Sequence, residues 1–162
     1  YHHTGALNLK PGPGAVVRDV RVSNYGDAYR VEDKSPGFTF DRVYATHGHD
    51  DCVEDDYLWD GTISNSLFAG CYVGISTRPS SSTVPDASNR QLVLDHVMLR
   101  LVPTPTVYKG TVPGTGGWFK DDKRSPKHVL RSVVFAAEQL PNHQSLAPIS
   151  KISECKIGRA HV

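Results

Sequence analysis

The chain predicts an all-β fold of stacked parallel strands, a parallel β-helix, on three grounds. An eight-residue pattern recurs five times, its first three copies are evenly spaced, and turn-forming residues gather between the copies. The octets are Ala15 to Val22, Phe38 to Ala45, Gly61 to Phe68, Leu92 to Leu99 and His128 to Phe135; each has apolar or small residues at its third, sixth and eighth positions and a polar pair at the fourth and fifth. They start at residues 15, 38, 61, 92 and 128, so two steps of 23 residues are followed by steps of 31 and 36. Two equal periods and two longer ones read as a coil with insertions.

Within an octet, positions 1 and 3 share one strand face and positions 6 and 8 share another, and the polar pair interrupts the alternation. Each octet is therefore a bent strand. Its narrow apolar stripe cannot be buried alone, whereas stacking coils in parallel joins the stripes into one core. A period near 23 residues has room for about three short strands, with neighbouring coils about 4.8 Å apart. β-Branched and aromatic residues populate the octets, and Gly, Pro and Asn lie between them, as strands and turns require. An antiparallel sandwich is the alternative architecture.

Composition sets bounds. At 162 residues and 38% hydrophobic, the chain suffices for one core, and a single domain is expected over residues 15–156. Eighteen Lys plus Arg balance seventeen Asp plus Glu, which gives no case for nucleic acid or a membrane surface as partner. No apolar run approaches a membrane span. A monomer is expected. Cys52, Cys71 and Cys155 are too few and too irregular for a disulfide framework or a zinc ribbon, and Cys52 is expected as a compact core residue.

Residues 1–14 read as a lead-in loop, with Pro11 and Pro13 forbidding a helix. The chain does not start with Met, which reads as an internal fragment lacking one or both end caps. At the other end, residues 157–162 resemble the translation of a sequencing adapter and are set aside.

Chemistry concentrates in His47-Gly48-His49-Asp50-Asp51-Cys52-Val53-Glu54-Asp55-Asp56, which holds five of the seventeen acidic residues. Counted from the octet starts, Asp27-Ala28-Tyr29 falls over Asp51-Cys52-Val53 and then over Val73-Gly74-Ile75, within one residue of register. Ala28, Cys52 and Gly74 would form a column of small residues. Asp27 and Asp51 would then stand about 5 Å apart, with Asp50 beside them. At an effective dielectric of about 20 their repulsion is roughly 3 kcal/mol, enough to raise one pKa by about 2 units or to demand a cation. Calcium suits such carboxylates, with Asp27, Asp51 and Asp55 as ligands. A protonated carboxyl beside an ionised one is also the acid and base pair of inverting glycoside hydrolysis. In the plain alternative Asp50 and Asp51 cap a turn, and Glu54, Asp55 and Asp56 form a solvated face.

The order Asp50-Asp51-Cys52-Val53, then a coil, then Val73-Gly74-Ile75-Ser76 resembles the pectin-lyase-like right-handed parallel β-helix superfamily, and within it the polygalacturonase-type hydrolases. The resemblance covers most of residues 15–136. It implies a right-handed helix, a secreted or cell-surface protein and cleavage of an acidic, pectin-like polysaccharide. Asp50 and Asp51 match the catalytic Asp pair, and Gly74-Ile75-Ser76 matches only the structural part of the second motif. The family's catalytic His would fall near Tyr72 or Val73, and the family's Arg-Ile-Lys segment is replaced by Met98-Leu99-Arg100-Leu101. Pectate lyases of the same superfamily use calcium-bound carboxylates and a basic residue, a role Arg78 would fill.

Thr46-His47-Gly48-His49-Asp50-Asp51-Cys52 is also similar to the His-x-His-x-Asp-His segment of metallo-β-lactamase-type hydrolases, which implies a metal site of His47, His49 and Asp51. Cys52 stands where the last His belongs. His49 is kept as a catalytic candidate beside Asp50, Asp51 and Arg78. The loop at residues 78–90 accounts for the 31-residue step, and a longer insertion at 102–127 carries Trp118-Phe119-Lys120. Trp118 and Phe119 offer flat faces for a sugar ring, and Lys120 a cation for uronate carboxylates, so these three and Asp27 are the expected substrate-binding set. Against this, Trp118 and Phe119 would also serve as a short packed strand of the fourth coil. Residues 138–145 read as a turn, and 148–156 as the start of a further coil. A non-catalytic β-helix, binding carbohydrate at a surface, is the alternative function.

Overall fold

The computed structural model describes residues 4–10, 12–104 and 115–138 and the backbone of 152–156. Twelve strands build one sheet, and no helix occurs among the described residues. The strands are β1 (Gly5–Leu9), β2 (Val16–Arg18), β3 (Arg21–Ser23), β4 (Asp27–Val31), β5 (Phe38–Asp41), β6 (Tyr44–Asp55), β7 (Gly61–Thr77), β8 (Gln91–Leu101), β9 (Gly117–Asp121), β10 (Lys127–Arg131), β11 (Val134–Ala137) and β12 (Ile152–Lys156). Their pairings are parallel. This is an all-β, solenoid-like architecture.

The long strands β6, β7 and β8 bend from one column of pairings into the next, so the ladders sort into three columns. The first runs β2, β5, the start of β7, the start of β8, β10 and β12. The second runs β3, the start of β6, the middle of β7, the end of β8 and β11. The third runs β1, β4, the end of β6, the end of β7 and β9. In the first column Phe38 pairs with Gly61, Gly61 with Leu92, and Leu92 with His128. The octet starts are thus in register, insertions included.

The polar pair in each octet has a conformational cause. Its second residue is left-handed in all five copies: Asp19, Arg42, Asn65, His96 and Ser132 have φ between 50° and 57°. One such residue turns the chain sharply enough to start a new strand on another face, and Asn, Asp and His tolerate that region best among residues with a Cβ. A second bend repeats at Asn24, His47 and Gly70. Corner side chains also bond along the stack, as Arg42 Nε donates to Asp19 Oδ1 at 2.7 Å.

The core follows the octet positions. Phe40, Ile63, Leu94 and Leu130 occupy the third position and are buried, as are Ala45, Phe68 and Leu99 at the eighth. Tyr29, Val53, Ile75 and Phe119 line up from the third column into the same core. The Tyr29 hydroxyl is satisfied by the carbonyls of Val20, at 2.8 Å, and Tyr44, at 3.0 Å.

Two expectations are corrected. Residues 1–14 are not all loop, because Gly5–Leu9 forms β1 and pairs with β4; Leu7 and Leu9 continue the third column ahead of the Gly- and Pro-rich turn. Cys52 is not a free core thiol but is disulfide-bonded to Cys71, with Cα atoms 5.5 Å apart. The partner lies on the next coil, a proximity hidden by the 19-residue separation in sequence. At Gly48 an added Cβ would lie 2.9 Å from Cys71 Sγ, so glycine admits the bridge there. β12, paired with β10, gives the further coil expected near 148–156. Residues 157–162, His143 and residues 105–114 of the 102–127 insertion lie outside the described residues.

Candidate acidic site

The third column sets the positions of the acidic residues. Tyr29 pairs with Val53 and Val53 with Ile75, which places Asp27 beside Asp51 and stacks Ala28, Cys52 and Gly74. The small column has a packing reason: a Cβ on Gly74 would come within 2.6 Å of the Trp118 carbonyl oxygen. One carboxylate oxygen from each of Asp27, Asp50 and Asp51 lies within 4.8 Å of the others, and all three residues are buried. The Asp51 amide donates to Asp27 Oδ1 at 3.2 Å.

Lys120 closes the cluster. It comes from β9 in the fourth coil, and its Nζ lies 3.1 Å from Asp51 Oδ2. Asp51 is fully buried whereas Lys120 keeps about a third of its side chain exposed, so the lysine is the solvent side of the pair. The other Asp51 oxygen, Oδ1, is buried without a hydrogen-bond partner. On the same row of the column, Arg30, Glu54, Ser76 and Lys120 stand side by side. Arg30 Nε is ion-paired with Glu54 Oε2 at 2.8 Å, and its Nη1 lies 3.8 Å from Asp27 Oδ2.

Burial decides the protonation of this group. Desolvation pushes Asp27 up, helped by the charges of Glu54 and Asp51. Asp51 is also pushed up by desolvation, with Lys120 pulling it back. Asp27 is farther from a cation than Asp51 and is the better holder of a proton. Lys120 is shifted upward, its own desolvation outweighed by Asp51 and the other acids, and stays charged.

The remaining expected site residues lie elsewhere. Asp55 caps a turn, accepting from the Tyr57 amide at 3.1 Å and the Trp59 amide at 2.7 Å, and burial pushes it up to about 8. Its place in the cluster is taken by Asp50. Arg78 is exposed just past the end of β7. His47 is exposed, bonded to Thr46 Oγ1, and His49 Nε2 lies 3.0 Å from Asn24 Oδ1, so the two histidines face a corner groove while Asp51 lies under Lys120. Trp118 and Phe119 form part of β9: Phe119 is buried and stacks on His128 at 4.2 Å, and Trp118 Nε1 donates to the Ala136 carbonyl. They pack the coil.

Arg30 and Glu54 were not expected in the site. Their signal was available, since each follows its Asp, 27 or 51, by three residues and the charges are opposite. A calcium ion here would draw on Asp27, Asp50 and Asp51, three of the six to eight oxygens such ions take, and would compete with Lys120 for Asp51. Lys120 sets one positive charge against the three carboxyls.

The fold and site together define a class: an all-β, parallel-stranded, solenoid-like protein with a buried carboxylate cluster closed by a lysine. No protein-family model, curated protein or solved structure matches the chain.

Proposed function

We propose that this chain is a right-handed parallel β-helix, secreted or displayed at a cell surface, which hydrolyses an acidic, pectin-like polysaccharide. The observation that carries the reading is the gathering of Asp27, Asp50 and Asp51 within 4.8 Å under Lys120. Desolvation raises both Asp27 and Asp51, so the pair retains a proton near neutral pH, which a general acid requires. Asp27 with Asp51 would hold the proton delivered to the leaving oxygen, and Asp50, the least buried of the three, would activate water. The spacing is shorter than the roughly 6.5–9.5 Å that admits a water between two carboxyls, so that water would be held on the solvent side of Asp50. The Cys52–Cys71 disulfide supports an oxidising compartment.

The complete burial of Asp51 favours a second reading, a non-catalytic carbohydrate-binding or surface β-helix in which the cluster is structural. Incubation with polygalacturonate, with and without a calcium chelator, tests both. New reducing ends that persist in chelator, without the ultraviolet absorbance of unsaturated ends, are expected, as is their loss in Asp51→Asn. Absorbance abolished by chelator would mean a calcium-dependent lyase instead. Silence from the folded protein across acidic polysaccharides would favour the structural reading.

A further inference from the structure

Asp51 and Lys120 meet in a geometry that allows more than an ion pair. The Asp51 side chain is fully buried, its Oδ1 has no hydrogen-bond partner, and Lys120 Nζ lies 3.1 Å from its Oδ2. The lysine reaches it from the fourth coil across β7, where Ser76, paired with both Glu54 and Lys120, is small and buried and leaves the stem room to cross. Burial disfavours the charged forms of an amine and of a carboxyl alike, and so favours the neutral pair, in which the amine is a nucleophile. An amine held this close to a carboxyl approaches the near-attack range, and such placement is worth effective molarities of roughly 10⁵–10⁸ M.

We propose that Lys120 and Asp51 condense to an intramolecular amide, an isopeptide bond that ties β9 to β6. The bond deepens the second reading above, in which the cluster is structural, and rests on it. A proton first passes from Nζ to Oδ2 across their 3.1 Å contact, leaving a free amine and a neutral carboxyl. The amine attacks Asp51 Cγ, the Nζ–Cγ bond forms, and one Cγ–Oδ bond breaks. The departing hydroxyl takes a proton from Asp27 and leaves as water, and Asp27 recovers a proton from Nζ. Of the three ammonium protons one stays on the amide and two are balanced in the water, so no further reactant is needed.

Asp27 is placed for that part: it is buried, and one of its oxygens lies within 4.8 Å of an Asp51 oxygen. Condensation also relieves the site. It removes two charges and one oxygen from a place where an Asp51 oxygen is buried without a partner. The bond would close a loop across the 69 residues between Asp51 and Lys120 and hold the second, third and fourth coils together.

The test is the intact mass of the purified, folded chain, taken after reduction of the disulfide, for wild type, Lys120→Met and Asp27→Asn, with thermal unfolding of each to show that it is folded. Wild type should be lighter than its sequence by one water, and its proteolytic digest should hold a branched peptide joining residues 51 and 120. Lys120→Met should have its full mass and run behind wild type on a denaturing gel, where the closed loop keeps the wild type compact. Asp27→Asn keeps an oxygen for the Asp51 amide but has no carboxyl proton to hand over, so it should stay at full mass while wild type closes. A folded wild type that keeps its full mass after prolonged incubation, or a lost water that persists in Lys120→Met, would overturn the proposal; an Asp27→Asn chain that closes as fast as wild type would overturn the part given to Asp27. Turnover of polygalacturonate is followed on the same samples. Full mass without turnover removes the bond and leaves the structural reading, whereas a closed bond with turnover removes that reading and leaves the bond.

Discussion

Lys120 and Asp51 are 69 residues apart in sequence, and their charged atoms are 3.1 Å apart. The distance comes from coil stacking: β9 lies on β7, which lies on β6. Replacing Lys120 with Met leaves a fully buried carboxylate without its cation. Between the values for exposed and buried pairs, a loss of about 1–3 kcal/mol is expected in urea unfolding. Lys120→Met combined with Asp51→Asn should be less destabilised than the sum of the single changes. Additive losses would mean that the pair is not coupled.

Stability should fall as pH rises from about 4 to 8. Burial holds Asp55 up to about 8, far above the ordinary carboxyl value, and moves Asp27 and Asp51 in the same direction. Across that window the folded chain binds more protons than the unfolded one, so raising the pH favours unfolding. The unfolding midpoint should be higher at pH 5 than at pH 8, with little further loss from Asp55 beyond. Below pH 4 the trend reverses, because Asp19, Asp41 and Asp122, held low mainly by hydrogen bonds, lose their charge. A midpoint that climbs steadily from pH 5 to 8 would contradict the assignment.

His96 occupies the left-handed corner of the fourth octet with φ 54°. His96→Val should cost about 1–2 kcal/mol, since a β-branched residue is poorly accommodated there. His96→Gly should be neutral or stabilising by up to about 1 kcal/mol. Equal effects of the two changes in urea titrations would show that corner conformation is not what selects the residue.

Reducing the Cys52–Cys71 bridge, or replacing both residues with Ser, should cost about 2–4 kcal/mol. Because Cys52 follows Asp51 directly, hydrogen exchange at the Asp50 to Val53 amides should rise more than at β8. Uniform protection on reduction would remove any link between the bridge and the acidic cluster.

Much of this was legible in the sequence because the octet encodes two independent things. Its apolar positions set the core, and its polar pair marks the bend, so the starts at 15, 38, 61, 92 and 128 are also the paired residues of the first column. The Asp27 and Asp51 neighbourhood followed from the same repeat to within one residue, and the pairing of Tyr29 with Val53 fixes it. Lys120 was named as a cation for substrate, yet its ion pair with Asp51 was hidden by the insertion that separates β8 from β9. Asp55 misled because alternation along a strand says nothing about a turn whose amides need an acceptor. The disulfide was missed for a related reason: spacing rules for cysteine count along the chain, and this bridge crosses between coils.

Parallel stacking also bears on how the chain could assemble. Every described strand pairing joins a coil to the one before it in sequence, so a growing chain could add each coil to the sheet edge left by the previous one. Asp27 and Asp51 meet once the second coil docks, whereas their lysine arrives only with the fourth. A nascent chain halted at the third coil would therefore hold the acids together without Lys120, and completion of β9 would bring the cation that closes the cluster and ties the fourth coil to the second.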